Sequence, residues 1–107
     1  MRKFIGALAM ATVLVSGSAS AWDGVTSGVI STISLVPSTG NYETRITLAN
    51  GAQFCNGQTW AALHAGTPNY NVVTASLLTA KTQRSTVTVY TNKDANGNCL
   101  IGYVTVS

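Results

Sequence analysis

The order of short β-type runs around a single helical stretch is the feature that most constrains the fold of this chain. Three β-type runs, the third weaker because of its alanines, precede the stretch Tyr70–Gln83, and two more follow it. The five runs are Gly28–Val36, Tyr42–Leu48, Gln58–His64, Ser85–Thr91 and Leu100–Val106. Alternating apolar and polar residues predict strands. Asn50-Gly51 and the polar segment Asn92–Asn98 are typical of the turns between strands.

The helical stretch carries one apolar stripe. Its members recur every three or four positions: Tyr70, Val73, Leu77 and Ala80. Asn69 or Asn71 is the expected cap of its first turn, and Trp60, in the third β-type run, is the expected aromatic anchor of the core. Three strands, a helix and two strands is the element order of the OB-fold, a five-stranded Greek-key barrel. We therefore expect an all-β domain with one helix, in an OB-fold-like barrel with the helix between strands three and four. An open sheet with one helix on one face would fit the same order.

Residues 1–21 have the pattern of a secretory signal peptide. Two basic residues near the N-terminus precede the apolar stretch Phe4–Val15, and Ala19-Ser20-Ala21 fits a small-residue cleavage site. The apolar stretch is shorter than the roughly 20 residues with which a helix spans a bilayer. We expect cleavage, no membrane insertion, a secreted or periplasmic location, and one binding domain over residues 22–107.

Cys55 and Cys99 are the only cysteines of the chain. Export would place them in an oxidising compartment, where an even cysteine count predicts a disulfide. A pair of free thiols and a metal site are the alternatives, but two cysteines and a single histidine are too few for structural zinc. A bridge would close a loop of about 45 residues and contribute about 4 kcal/mol on the chain-entropy model.

Charge and residue placement argue against several function classes. After the signal segment, four basic residues face three acidic ones, which leaves a side-chain net charge of +1. Nucleic-acid binders usually show a clustered basic face, so no nucleic-acid partner is expected. His64 is the only histidine, and the chain lacks the Gly-x-Ser-x-Gly motif that carries the nucleophilic serine of many hydrolases. Glycoside hydrolysis needs two carboxyl groups that face each other, but the carboxylates after the signal segment are scattered over three elements: Asp23, Glu43 and Asp94. We therefore predict no enzyme activity and no cofactor, a solvated Glu43 beside Arg45, and a structural hydrogen bond for His64.

The segment Asn92–Gly97 matches the first half of a calcium loop, with oxygen-bearing side chains at alternate positions and a glycine sixth. The twelfth position of such a loop should be a bidentate glutamate, and here it is Tyr103, inside a predicted strand. A polar hairpin turn explains the same residues, so no metal site is predicted.

The start of the mature chain holds the strongest candidates for a binding site. Asp23, Ser27 and Trp22 offer a carboxylate, a hydroxyl and an aromatic ring, which are groups that sugar-binding pockets use. The alternative is that this segment only leads the chain into the first strand, with Trp22 covering the barrel mouth.

The same segment resembles the mature start of the B subunits of AB5 toxins of the subtilase cytotoxin type. Trp22 and the motif Asp23-Gly24-x-x-Ser27-Gly28-Val29-Ile30 carry the resemblance. Leu77-Leu78-x-Ala80, Val87-x-Val89-Tyr90 and Cys99 agree with it more generally. The resemblance implies a homopentamer in which each barrel binds a glycan, sialylated in that family, around a pore where an A-type subunit docks. It also implies that Ser27, Asp23 and Tyr90 touch the sialic acid.

The residues and the resemblance together predict a secreted, non-catalytic glycan-binding module. The alternative is a secreted protein-interaction module, such as an inhibitor or an assembly subunit, with no glycan ligand. The chain departs from the toxin subunits in its shorter length, its single pair of cysteines and its reduced loops after the second strand.

Overall fold

The computed structural model describes residues 22–107, a mostly β domain with one helix, as predicted. Its elements, in chain order, are β1 (Gly24–Leu35), β2 (Thr44–Leu48), β3 (Ala61–Leu63), α1 (Tyr70–Gln83), β4 (Thr86–Lys93) and β5 (Cys99–Val106). The helix has its predicted bounds, whereas β1 begins earlier than expected and β3 is shorter. The predicted signal peptide lies outside the described residues. No helix within residues 22–107 is both long enough and apolar enough to cross a membrane.

The five strands form a closed ring of hydrogen-bonded neighbours. Their order is β1-β2-β3-β5-β4, and β4 pairs back with β1. Four of the contacts are antiparallel, while β3 and β5 run parallel and share the single residue pair Ala62 and Leu100. β1 has two neighbours along its length: its first half pairs with β4 and its second half pairs with β2. The register shifts between Ile30 and Thr32, and such a bulge bends a strand towards its new partner.

The interior of the ring is filled by side chains from all five strands and from the helix. The largest buried apolar groups from these elements are Ile30, Ile46, Leu48, Leu63, Leu77, Val87, Val89 and Ile101. Leu77 and Ala80 are the buried residues of α1, and Tyr70 and Val73 pack half-buried against the same cluster, which confirms the predicted stripe. Each large side chain buried in this way contributes about 1.5–3 kcal/mol. The helix therefore packs its apolar side against the interior of the ring.

Phe54, and not Trp60, is the large aromatic side chain of the core. Phe54 lies between β2 and β3 and is fully buried, whereas Trp60 is half-buried. The prediction for Trp60 was wrong because β3 begins only at Ala61, so Trp60 precedes the strand and is not held on its inner side.

Glu43 is buried, with 6% of its surface exposed, and is not the solvated strand residue that the sequence predicts. Its carboxylate accepts hydrogen bonds from the backbone N–H groups of Ala65, at 2.8 Å, and Asn41, at 3.0 Å. The Ala65 N–H is the main group that holds the pKa of Glu43 below its ordinary value. The prediction failed because β2 begins at Thr44, which leaves Glu43 in the preceding loop.

Two local predictions about polar side chains have opposite outcomes. Asn69 is the N-cap of α1, but its side chain makes no capping hydrogen bond, and its backbone is left-handed with φ of 63°. His64 does make its structural hydrogen bond, with Nδ1 3.1 Å from the carbonyl oxygen of Asn41.

A disulfide joins Cys55, in the segment between β2 and β3, to Cys99 at the start of β5. Both residues are buried, and their Cα atoms are 6.0 Å apart across a sequence separation of 44. The loop that carries Cys55 packs closely on β1, since a Cβ at Gly24 would lie 2.7 Å from the Cys55 nitrogen. The Cys55 N–H also donates to Thr91 Oγ1 of β4, at 3.3 Å. The bridge therefore ties together the segment before β3, the start of β1 and the closing strand β5.

Replacing both cysteines, Cys55→Ala and Cys99→Ala, should lower the free energy of unfolding by about 2–5 kcal/mol, because the unfolded chain regains the entropy that the crosslink removes. Urea unfolding followed by circular dichroism measures this loss. Wild-type protein treated with reductant is the matched control and should unfold at a similar urea concentration. Mass spectrometry should find the non-reduced wild type lighter by two hydrogens than its reduced form. Equal midpoints for the oxidised and the cysteine-free protein would contradict a stabilising bridge.

Candidate functional site

The neighbouring strands β1, β4 and β5 share one outer face. The valines on both sides of Thr88 in β4 are buried, so Thr88 and the alternate residue Tyr90 face outward. The strand register places Ser27 of β1 opposite Thr88, and Tyr103 of β5 opposite Tyr90. This face therefore combines hydroxyl groups with aromatic rings.

Three aromatic side chains form a continuous row on this face: Trp22, Tyr90 and Tyr103, called here the aromatic row. The ring centroids of Trp22 and Tyr90 are 5.7 Å apart, and those of Tyr90 and Tyr103 are 5.1 Å apart. Tilted rings at such distances attract one another. Tyr103 nevertheless keeps 55% of its surface exposed, so the row offers ring surface to a ligand.

Gly102 makes room for the aromatic row. The pairing of β4 with β5 shifts between Tyr90 and Thr91, which leaves Gly102 as an extra residue without a partner on β4. The Trp22 ring lies against this glycine, and a Cβ built at Gly102 would be 2.8 Å from Trp22 Cη2. The side chain of any other residue would therefore displace the tryptophan ring.

Ser27 and Tyr90 lie close together on the outer face. Val25 is opposite Tyr90 and Ser27 is opposite Thr88, so Ser27 is the diagonal neighbour of Tyr90, at about 7 Å. The hydroxyl oxygens of Ser27 and Thr88 are 2.8 Å apart and share a hydrogen bond. A hydroxyl can donate one hydrogen bond and accept two, so this exposed pair retains capacity for a polar ligand.

Asp23 lies at the end of this face and fastens the chain to β4. Its Oδ2 accepts a hydrogen bond from the Lys93 N–H at 2.7 Å, and its own N–H donates to Asn92 Oδ1 at 2.7 Å. The Asn56 side chain also donates to the Asp23 carbonyl oxygen at 3.1 Å. A carboxylate has about four acceptor positions, so Asp23 can still accept from a ligand hydroxyl.

The structure places the predicted site residues Trp22, Ser27 and Tyr90 on one face, with Asp23 at its edge. Tyr103 is a further neighbour of these residues that was not predicted from the sequence. Counting residues back from the β4–β5 turn pairs Tyr90 with Gly102, and only the irregularity in the pairing brings Tyr103 beside Tyr90. The glycine inside an otherwise β-type run was the available signal, because such a glycine is typical of a bulge or a close contact.

The chain matches no protein-family model, and it has no significant match among curated proteins or solved structures. The resemblance to AB5 toxin B subunits therefore rests on the short motifs of the sequence alone. Within residues 22–107, no three histidine, cysteine, aspartate or glutamate side chains lie close enough together to hold a metal ion.

Gly102→Ala should push the Trp22 ring off β5, because the new methyl group would occupy the position of that ring. In a Trp60→Phe background, Trp22 is the only tryptophan of residues 22–107, so its fluorescence reports its own environment. We expect its emission to shift to longer wavelength and its quenching by acrylamide to increase. Gly66→Ala is the matched control, since a Cβ at Gly66 meets nothing within 4 Å. Unchanged emission in Gly102→Ala would disprove the contact.

Proposed function

We propose that this chain is a secreted, non-catalytic glycan-binding module that holds its sugar on the outer face of β1, β4 and β5. The aromatic row is the observation that carries the proposal. A sugar ring has an apolar C–H face that packs on aromatic rings, while its hydroxyl groups need polar partners at the edge of that contact. The half-exposed ring of Tyr103 and the shared hydroxyls of Ser27 and Thr88 supply both kinds of contact side by side.

In this proposal each predicted site residue has a distinct part in binding. Trp22 and Tyr90, with Tyr103, form the apolar platform for the sugar ring. Ser27 donates or accepts a hydrogen bond at the edge of the platform, and the Asp23 carboxylate accepts from a sugar hydroxyl. None of these residues has to move or exchange a proton for binding, so the function requires no catalytic step.

We also propose that the ring of strands is an OB-fold barrel. The strand order β1-β2-β3-β5-β4 and the helix between β3 and β4 support this assignment. A sialylated ligand and docking of an A-type subunit are further proposals that rest on the resemblance to AB5 toxin B subunits. The side-chain net charge of +1 disfavours nucleic acid as the ligand.

Binding to a glycan array should depend on the outer face. Tyr90→Ala removes the central ring of the platform and should weaken binding about tenfold or more, and Ser27→Ala should weaken it roughly fivefold by removing one hydrogen bond. Ser31→Ala is the matched control, because Ser31 is an exposed serine of β1 whose hydroxyl pairs with that of Thr47 in β2, at 2.8 Å, and not with β4. An array without bound glycan, or equal binding by all three variants, would refute the proposal.

A protein-interaction or assembly role is the second candidate, and an apolar groove between α1 and β5 favours it. Val72 of α1 and Val106 of β5 are 65% and 48% exposed, and both line this groove. Beyond Leu100, β5 pairs with no described strand on the side away from β4. Unpaired backbone groups at a strand edge readily pair with another β-strand. We propose a second copy of this chain as the occupant, in a homopentamer as the resemblance implies.

Light scattering on the mature, non-reduced protein tests this assembly. The wild type should have several times the mass of one chain, and Val106→Asp should convert it to single chains, because a charge would be buried at the interface. Leu35→Asp is the matched control, since Leu35 is an equally exposed apolar residue at the far end of β1, with 56% of its surface exposed. A wild-type mass equal to one chain would exclude the assembly.

A further inference from the structure

A second cluster of aromatic and cationic side chains lies on the outer face of β2 and β3. Its members are Arg45 of β2, Trp60 and His64, which flank β3, and Tyr42, which precedes β2; they are called here the arginine patch. The Arg45 Cζ lies 5.4 Å from the centroid of the Trp60 ring, and Arg45 Nε donates to the Tyr42 carbonyl oxygen at 2.9 Å. The guanidinium group is therefore held in a fixed orientation.

The terminal nitrogens of Arg45 have no carboxylate partner. Within residues 22–107, the one ion pair shorter than 4.0 Å joins His64 to Glu43, at 3.8 Å. A guanidinium group has five N–H donors, and the Tyr42 carbonyl uses the one at Nε. The remaining donors form a planar fork that matches the two oxygens of a carboxylate or a sulfate.

The rest of the patch is rigid. The Tyr42 ring lies between Trp60, edge to face at 5.9 Å, and His64, at 4.6 Å. Its hydroxyl donates to Asp94 Oδ2 at 2.6 Å and accepts from Asn98 Nδ2 at 2.8 Å. Little side-chain freedom remains to be lost when a ligand binds, and this lowers the cost of binding.

The two carboxylates near the patch are already engaged by hydrogen-bond donors. Glu43 is buried and accepts from two backbone N–H groups. Asp94 accepts from the Tyr42 hydroxyl and from the N–H groups of Asn96 and Asn98. The Tyr42 hydroxyl is the main group that lowers the pKa of Asp94. Arg45 is thus the charge in this cluster that is left for a ligand.

The strand register connects the arginine patch to the aromatic row. Arg45 pairs with Ala62 of β3, and Ala62 pairs with Leu100 of β5, the strand that carries Tyr103. Two strand spacings, about 10 Å, therefore separate Arg45 from β5. Tyr103 lies three residues, about another 10 Å, farther along β5 than Leu100, so a ligand that reaches both surfaces must be an oligosaccharide and not a single sugar.

We propose that the arginine patch is a subsite for the carboxylate or sulfate group of an acidic glycan. The inference deepens the proposed glycan-binding function and rests on it. The acidic group accepts two hydrogen bonds from the terminal nitrogens of Arg45, and an adjoining sugar ring extends towards the aromatic row. The patch thereby selects acidic glycans over neutral glycans with the same core.

Titration with lactose, 3′-sulfolactose and 3′-sialyllactose tests this selection, because the three share one core and the latter two carry a sulfate or a carboxylate. Residues 22–107 contain two tryptophans, one in each surface, so the two indole N–H signals in NMR spectra report the sites separately. Lactose should shift the Trp22 signal alone. The acidic forms should shift both signals and bind at least tenfold more tightly.

Arg45→Gln should abolish the preference for the acidic forms and leave the lactose affinity unchanged, and Arg45→Lys should restore only part of it, because lysine lacks the planar fork. Arg84→Gln is the matched control, since it removes an equal charge at the C-cap of α1. A Trp60 signal that no acidic form shifts, or an equal loss in Arg84→Gln, would overturn the subsite. Shifts of Trp60 without any shift of Trp22 would uphold the subsite and refute the role of the aromatic row. No shift of either signal would refute both.

Discussion

The Cys55–Cys99 disulfide joins the ring of strands where its backbone hydrogen bonding is thinnest. β3 has three residues and meets β5 through one residue pair, which is too little pairing to hold two strands together by itself. The covalent bond fixes the segment before β3 to the first residue of β5. The start of β1 then packs on that segment, because Gly24 has no side chain to keep Cys55 away. Trp22 and Asp23 immediately precede this contact, so the position of the candidate site depends on the bridge.

The parts of the fold that were predictable from the sequence are those set by local pattern. The apolar stripe of α1 gave correct bounds and the correct buried side, because helical spacing repeats within the element itself. The start of β1 was missed because Gly24–Ser27 has a single apolar side chain, that of Val25, and only pairing with the distant strand β4 makes it extended. The length of β3 was overestimated because Ala61 and Ala62, although buried, have little preference for strand and so do not mark where the strand begins.

The candidate site shows the same division between local and distant causes. Ser27 was recognised from the chain and Tyr90 from the resemblance, and their common face follows from the pairing of β1 with β4. The place of Tyr103 beside Tyr90 depends on the bulge at Gly102, a feature of pairing between strands. The contact of Arg45 with Trp60 depends on where β2 and β3 begin, since the loop residue Glu43 turns inward while Trp60 stays outside the core. The ends of β2 and β3 depend on which residues are buried against distant parts of the chain, and a local sequence pattern carries no information about such contacts.

The aromatic row, through its neighbour Asp23, and the arginine patch both make hydrogen bonds to the turn between β4 and β5. The two surfaces therefore depend on the same turn for their rigidity. Asp23, beside the aromatic row, accepts from the N–H of Lys93, and Tyr42, in the arginine patch, donates to the next residue, Asp94. The turn is closed by two hydrogen bonds, from the Asn98 N–H to Asp94 Oδ1 and from the Asp94 N–H to the Asn98 carbonyl oxygen, and is followed at once by Cys99 of the disulfide. A displacement of this turn would therefore loosen a contact in each surface together. Because a ligand gains affinity when its contacts are already in place, the crosslinked turn gives a small domain two surfaces that need little ordering when they bind.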